Sequence, residues 1–192
     1  MRASVELLPD AAGEGAVRAS WVRLNEAGLP SRLVHQGLSN WPHVTIWESA
    51  VHVADRPGAR RRGAPEEVLP APSVLAALLE HLPLAVDVLG TAVFGRSDRG
   101  VLVLELDPRP LVPLHEAVRD LAEDGPGGAG LRRDQWRPHL TLSRPLGAGQ
   151  VDAASALVRA VPLPEAIVLE TLRTWDPAAN TVNKVQRDHR AG

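Results

Sequence analysis

Two short segments of the chain carry the same pattern of chemically useful residues. The first, PHVTI, spans residues 42–46, and the second, PHLTL, spans residues 138–142. On a β-strand, residues two positions apart project from the same face. The histidine and threonine of each segment would therefore share one face, while Val44 and Leu140 would point into the core. In a chain with seven histidines, two segments matched this closely arise by chance only rarely.

Two imidazoles and two hydroxyls suit the cleavage or transfer of a phosphodiester bond without a metal. Histidine titrates near neutral pH, so one ring can take a proton from the nucleophile while the other protonates the leaving oxygen. The threonine hydroxyls, with backbone amides, can donate hydrogen bonds to the non-bridging oxygens as negative charge builds. The alternative, in which these side chains are structural, is disfavoured by the match between the two segments. The candidate catalytic residues are His43, Thr45, His139 and Thr141.

Four further residues are candidate substrate contacts. Trp47 shares the histidine face if its strand continues, where it could stack on a base or simply pack at the strand's end. Arg137, Arg144 and Arg173 could bind phosphate through paired N–H groups, although an isolated surface arginine is more often solvated. The arginine run 60–62 lies in a segment rich in proline and glycine, and it is either a nucleic-acid patch or a solvated loop.

The histidines show no spacing typical of a metal site. The chain has no His-Glu-x-x-His sequence and no cysteine, and each His-x-Thr strand offers a single imidazole. Zinc sites use three or four protein ligands. We therefore expect no metal and no other cofactor, and a metal-dependent hydrolase is the disfavoured alternative.

Composition limits the class of protein and of partner. Apolar residues make up 44% of 192 residues and charged residues 23%, as in an ordinary globular chain with one core. The net charge of -2 gives no overall basic field, so a nucleic-acid substrate should be short or held locally. The chain shows neither an apolar leader at its start nor about 18 consecutive apolar residues. We expect a cytoplasmic protein with no membrane segment and no obligate protein partner.

The elements that would position the motifs can be read from hydrophobic periodicity and turn residues. The predicted strands are 5–8, a start at 33–34, 43–47, 84–94, 101–106, 139–142, 166–175 and 181–185. The predicted helices are 11–27 with a stop at Gly28, 74–79 with Ser73 as its cap, 111–122 and 151–161. Segments 55–72 and 125–130 are predicted loops.

Hairpins near the middle and the end favour antiparallel pairing, hence an α+β class rather than a doubly wound sheet. Each half also places one helix before its Pro-His-apolar-Thr strand and another after it. This internal echo predicts two lobes with one motif strand in each.

The two motifs resemble the 2H phosphoesterase superfamily, specifically its bacterial 2′-5′ RNA ligase and RNA 2′,3′-cyclic phosphodiesterase branch. The likeness covers most of the chain. The early strand 5–8, the Phe94-Gly95 hairpin, the strand 101–106 with its helix and the terminal segment 172–177 fall where that family's elements fall. Arg144 follows the second motif, as an arginine commonly does there.

The resemblance implies a single bilobal α+β domain over residues 1–192, with two antiparallel sheets and flanking helices around a central groove of pseudo-twofold symmetry. It implies opening of the 2′,3′-cyclic phosphate of RNA ends or small nucleotides to a 2′-phosphate, or reversible 2′-5′ joining. By this likeness His43 would protonate the leaving 3′-oxygen and His139 would activate water. Trp41 stands where the family has a basic residue, and the segment 55–72 resembles an insertion. A non-catalytic module that binds a terminal phosphate is the alternative.

Overall fold

A computed structural model describes residues 2–35, 37–49, 69–96, 99–123 and 136–186 of the chain. The arginine run 60–62, most of the predicted loop 55–72 and the predicted loop 125–130 lie outside the described residues. In the described part, the elements in chain order are β1 (Ser4–Pro9), α1 (Ala11–Glu26), β2 (Val44–Glu48), α2 (Pro72–Leu79), β3 (Leu84–Arg96), β4 (Arg99–Leu106), α3 (Val112–Glu123), β5 (His139–Thr141), β6 (Leu146–Gly147), α4 (Gln150–Arg159), β7 (Ala166–Asp176) and β8 (Thr181–Lys184).

The strands form antiparallel ladders in the order β2-β1-β7-β3-β4-β5, with β6 beside β4 and β8 beside β7. The α+β class and its antiparallel pairing are therefore confirmed. The motif strands β2 and β5 occupy matching outer positions in this order. The elements also repeat in sequence, because β1-α1-β2-α2-β3 is followed by β4-α3-β5, α4 and β7. That a single bilobal domain covers all of residues 1–192 stays a prediction.

Strand β3 joins the two halves of the sheet. Its first residues, Leu84 to Asp87, pair with β7, and the rest of the strand pairs with β4. The register shifts between Val88 and Gly90, and Gly90 has φ +127. That backbone conformation is easy only for glycine, so the bend lies at a residue that permits it. The strand therefore belongs to both halves and ties the two motif strands to one framework.

The apolar residues of both motifs lie in the core, as their alternation predicted. Val44, Ile46 and Leu140 are fully buried, and Leu142 is 1% exposed. They belong to one cluster that also takes in the inner faces of the helices. Burial of these residues leaves the intervening histidine and threonine side chains on the opposite face of each motif strand.

Two indole groups bind the backbone of the motif strands across the halves of the sheet. Trp21 of α1 donates to the carbonyl of Thr141 at 2.9 Å, and Trp136 donates to the carbonyl of Thr45 at 3.0 Å. His115 of α3 stacks on Trp136 with ring centroids 4.3 Å apart, and its Nδ1 lies 2.7 Å from the carbonyl of Ile46. Strands β2 and β5 also contact each other directly. The two motif strands are thus held side by side.

Several predicted element boundaries are correct and two local predictions are wrong. Helix α1 begins after Asp10, whose carboxylate accepts from Gly13 N, and it ends before Gly28, which has φ 69. Ser73 is not a helix cap, because Pro72 already occupies the first turn, where its missing N–H has no consequence. The segment 33–34 is an exposed turn rather than a strand.

Strand β6 was not predicted, because two residues show no period. None of the described helices is both long enough and apolar enough to cross a membrane.

Replacing Trp21 with phenylalanine should lower the free energy of unfolding by about 1–3 kcal/mol, because the buried Thr141 carbonyl would lose its donor. Urea unfolding measures this loss. The matched control is Trp175→Phe, since Trp175 is similarly buried but its indole makes no hydrogen bond with a described residue. Equal losses in the two variants would contradict a specific role for the Trp21 hydrogen bond.

Candidate active site

The structure places the two motif histidines at the starts of neighbouring strands. His43 directly precedes β2 and His139 is the first residue of β5. The charge of His43 lowers the pKa of His139, so the two rings are close enough to interact electrostatically. Both side chains are partly exposed, and that of His43 is 23% accessible. Both imidazoles are therefore partly open to solvent, at the starts of two strands that contact each other.

Both rings are held by the same type of contact. The Nδ1 atom of His43 lies 2.6 Å from the carbonyl of Trp41, and the Nδ1 atom of His139 lies 2.8 Å from the carbonyl of Arg137. A carbonyl accepts only from a protonated nitrogen, so Nδ1 carries the hydrogen in each ring. Proton transfer is then left to Nε2 of each ring. The two motifs thus present matched imidazoles in one tautomer.

The threonines stand two residues along each strand. Thr45 and Thr141 are half-buried, while the residues on either side of them are buried. Their backbone carbonyls are occupied by the two indoles described above. Their hydroxyls lie on the same strand face as the histidines. All four predicted catalytic residues therefore lie on the faces of the two motif segments that are turned away from the core.

Burial is the main influence on the pKa of both motif histidines. It lowers the pKa of His43, against which the Glu6 carboxylate and the Trp41 carbonyl raise it. Burial also lowers the pKa of His139, and the carbonyl of Arg137 partly offsets this. Nearby Arg173 lowers the pKa of His43 further. At neutral pH burial therefore favours unprotonated rings, the form that a general base requires, and at His43 the charge of Glu6 opposes this effect.

Arg173 was predicted to contact substrate phosphate, and this is wrong. Its side chain is 2% exposed, and its Nε donates to Glu6 Oε2 at 2.6 Å. Its Nη2 donates to the carbonyl of Ser39 at 2.9 Å and lies 3.3 Å from Nδ1 of His43. The guanidinium is therefore buried and bonded to groups inside the protein next to His43, so it is not available to bind substrate.

Trp47 was predicted as a possible stacking surface, and this is also wrong. It is 2% exposed and belongs to the hydrophobic core. The register between β1 and β2 shifts, so that Val5 pairs with Trp47 while Glu6 pairs with Thr45. One extra residue of β2 at this bulge breaks the alternation of faces. Trp47 is consequently turned inward.

Arg137 lies at the exposed rim beside the second motif. Its guanidinium contacts Glu105, with Nε at 2.8 Å and Nη2 at 2.6 Å from Oε1. It also lies 4.4 Å above the ring of Phe94, whose ring centroid is 4.7 Å from that of His139 in an edge-to-face arrangement. Phe94 is a site residue that the sequence analysis missed, although it is the chain's one phenylalanine.

Arg144 is exposed and lines a cavity of about 410 Å³ together with Arg99 and Gln150. The sequence analysis missed its neighbour Arg32, a half-buried residue in the loop between α1 and β2. Burial and the charge of Arg144 lower the pKa of Arg32, and the charge of Arg32 in turn lowers the pKa of His43. Arg32 therefore acts electrostatically on His43, and no sequence spacing marked it.

Among the residues that the structure describes, no group of three or more His, Cys, Asp or Glu side chains could hold a metal ion. The prediction of a metal-independent site remains a prediction about the reaction.

Comparison with known proteins identifies the fold. No protein-family model matches the chain, and no curated protein matches it either. Among solved structures, Kluyveromyces marxianus Usb1 with uridine monophosphate is 13% identical with a TM-score of 0.50, over 96% of this chain and 97% of that one. Escherichia coli LigT complexed with 3′-AMP is 16% identical with a TM-score of 0.50, over 95% of this chain and 92% of that one.

Usb1 and LigT both belong to the 2H phosphoesterase superfamily. The chain has the fold of 2H phosphoesterases, as the two His-x-Thr segments predicted from sequence. The likeness at these identities concerns the fold.

Folding stability should fall as the pH drops below about 6.5, the usual pKa of histidine. The folded state lowers the pKa of His43 and His139, so the unfolded chain binds protons more readily. The stabilisation is complete above the unfolded pKa and is lost as the pH falls through the lower folded values. Urea unfolding at several pH values between about 5 and 8 checks this.

The matched variant for this experiment is the double substitution His43→Asn and His139→Asn. It removes both titrating rings but keeps polar side chains of similar size. Its free energy of unfolding should decline less steeply with falling pH than that of the wild type. Identical slopes would mean that the two rings are not the groups responsible.

Proposed function

We propose that the chain is a metal-independent phosphodiesterase. It opens 2′,3′-cyclic phosphates of RNA ends or small nucleotides to 2′-phosphates, with reversible 2′-5′ RNA joining as a related activity. The observation that carries the proposal is the matched pair of imidazoles, each held through Nδ1 by a carbonyl two residues earlier, so that Nε2 is the nitrogen left for proton transfer. A binding module would have no need of two equivalent proton-transfer groups.

The reaction needs one proton removed and one proton delivered. His139, as an unprotonated ring, takes a proton from water through Nε2 while the water oxygen bonds to phosphorus. The bond from phosphorus to the 3′-oxygen breaks, and that oxygen takes the Nε2 proton of His43. The product carries a 2′-phosphate and a free 3′-hydroxyl. The rings exchange protonation states in each turnover and return through solvent. Family resemblance supports this division of roles.

The two threonines and the neighbouring charges stabilise the phosphate. The hydroxyls of Thr45 and Thr141 donate hydrogen bonds to the non-bridging oxygens, whose charge increases in the transition state. Arg32 supplies positive charge near His43, and the charge of Arg144 acts in turn on Arg32. The solved structures of similar fold support nucleotide recognition here, since Usb1 was seen with uridine monophosphate and LigT with 3′-AMP.

Substituting either histidine should abolish most of the activity. His43→Ala and His139→Ala should each lower kcat at least about 100-fold, because each removes one proton-transfer step. The assay is a panel of 2′,3′-cyclic nucleotides and cyclic-ended oligonucleotides, with 2′- and 3′-phosphate products separated. Circular dichroism checks that the variants remain folded.

The control is His81→Ala, which removes an exposed histidine after α2 and should leave kcat unchanged. A chelator should also leave the rate unchanged. Turnover that survives both motif substitutions, or that disappears with chelator, contradicts the proposal. Tight binding of a cyclic nucleotide with no product after long incubation would support the non-catalytic module instead.

Arg32 and Arg144 should act mainly on substrate binding. Arg32→Met or Arg144→Met should each raise KM about tenfold with little change in kcat, because a charge-assisted contact to phosphate is lost. Steady-state kinetics at low and high salt measure this. Because salt screens charge, the difference in KM between the wild type and each variant should be smaller at high salt. Arg119→Met on α3 is the charge-matched control. A change in kcat alone would contradict a binding role.

A further inference from the structure

A buried ion pair lies beneath one histidine of the matched pair. Glu6 of β1 and Arg173 of β7 are directly paired in register, and they are 3% and 2% exposed. Ser4 Oγ donates to Glu6 Oε1 at 2.7 Å, and Arg173 Nε donates to Glu6 Oε2 at 2.6 Å. Burying such a pair is often no more stabilising than burying apolar residues of the same volume. Its place beside His43 indicates a role in the site.

The pair is oriented with respect to the His43 ring. Glu6 Oε1 lies 3.6 Å from Nε2, whereas Arg173 Nη2 lies 3.3 Å from Nδ1. The negative group therefore faces the reactive nitrogen and the positive group faces the nitrogen bound to the Trp41 carbonyl. A distance of 3.6 Å is too long for a hydrogen bond. The carboxylate can thus stabilise a proton on Nε2 without capturing it, and the proton remains free to leave.

Among the described residues, no buried ion pair of this kind lies beside the second motif. The carboxylate that acts on His139 is Glu105, which is bound to the exposed Arg137 at the rim. The effect of Glu105 on the pKa of His139 is smaller than those of the positive groups His43 and Arg137, both of which lower it. Two rings with the same backbone anchor therefore differ in the charge placed beneath them.

Among the described residues, the other charged groups that act on the pKa of His43 are positive. They are Arg173 on β7 and Arg32 in the loop after α1. Each disfavours a protonated ring. Within the described part of the chain, Glu6 is the acidic group whose charge acts on His43. The protonated state that a general acid must have before the reaction is then favoured by Glu6, which has the larger raising effect, and by the Trp41 carbonyl.

We propose that Glu6, held by Arg173 and Ser4, is a positioning residue that keeps the proton on Nε2 of His43 and so makes His43 the proton donor and His139 the proton acceptor. This inference rests on the proposed function of the histidine pair. Glu6 touches neither the substrate nor the reacting atoms in this scheme. It acts through His43, and Arg173 holds the carboxylate in place.

The test is the substitution Glu6→Gln, which keeps the shape of the side chain but removes its charge. The amide oxygen can still accept from Arg173 Nε, and the amide nitrogen can donate to the Ser4 hydroxyl, which then acts as the acceptor. The alkaline limb of the pH profile of kcat reports loss of the acid's proton. This limb should move to lower pH, while the acid limb and KM stay in place. The loss of kcat should be small on the acid side and grow to roughly tenfold on the alkaline side. A uniform loss at every pH would show only a structural role.

Two further variants make the test specific. In Glu6→Gln with Arg173→Met both buried charges are absent, and the raising effect of Glu6 exceeds the lowering effect of Arg173. The pH at which kcat falls on the alkaline side should therefore be highest in the wild type, lower in the double variant and lowest in Glu6→Gln. The matched control is Glu48→Gln, which neutralises an acidic residue at the far end of β2 that pairs with Arg2. It should leave the limb unmoved.

A second measurement separates this inference from the proposed function. Titration of the imidazole signals by NMR, with His43→Asn for assignment, measures the pKa of His43 in the free protein without any substrate. The pKa of His43 should fall in Glu6→Gln and stay unchanged in Glu48→Gln. A wild type inactive on every cyclic phosphate would refute the proposed function while leaving this result meaningful. An unchanged His43 titration in Glu6→Gln overturns the inference.

Discussion

Two imidazoles that lie 96 positions apart, at 43 and 139, can act on one phosphate only if their strands are held together. In this chain the constraint is met by contacts that cross between the halves of the sheet. The indoles of Trp21 and Trp136 occupy the carbonyls of Thr141 and Thr45, so the backbone beside each histidine is bound by a group from outside its own strand. The remaining features of the site depend on this contact between β2 and β5.

The two histidines have matching backbone contacts but different neighbouring side chains. The repeated element order presents two rings in one tautomer, each anchored by a carbonyl two residues earlier. The sequence beneath the strands is not repeated, however. Glu6 and Arg173 lie beneath His43, whereas Phe94 packs against His139. A duplicated framework thus supplies the geometry, and unlike neighbours give the two equivalent groups different electrostatic surroundings.

The sequence was sufficient for the parts of the fold that depend on periodicity. The strand alternation in both motifs, the helix ended by Gly28 and the central hairpin all appear in the structure as their patterns predicted. The wrong predictions arise where a neighbouring residue or a shift in strand register overrides the local sequence pattern. Pro72 displaced Ser73 from the start of α2, and a bulge in the pairing of β1 with β2 turned Trp47 inward.

The candidate site could be predicted only where spacing carried the information. The four motif residues follow from a pattern of five positions, but the partner of Arg173 is Glu6, 167 residues away. No local pattern shows that these two residues are neighbours, so Arg173 was mistaken for a surface arginine. Arg32 and Phe94 were missed for the same reason, since a loop and a hairpin bring them to the site.

Strand β3 runs without interruption from one half of the sheet to the other. Separating the halves would therefore break ladder hydrogen bonds on a continuous strand, which is far more costly than swinging two domains about a linker. The spacing between the two motif histidines is then set by the continuous strand and not by the binding of a ligand. In the proposed reaction, such a fixed spacing would constrain the size of the group held between the rings and leave the rest of the substrate free to vary.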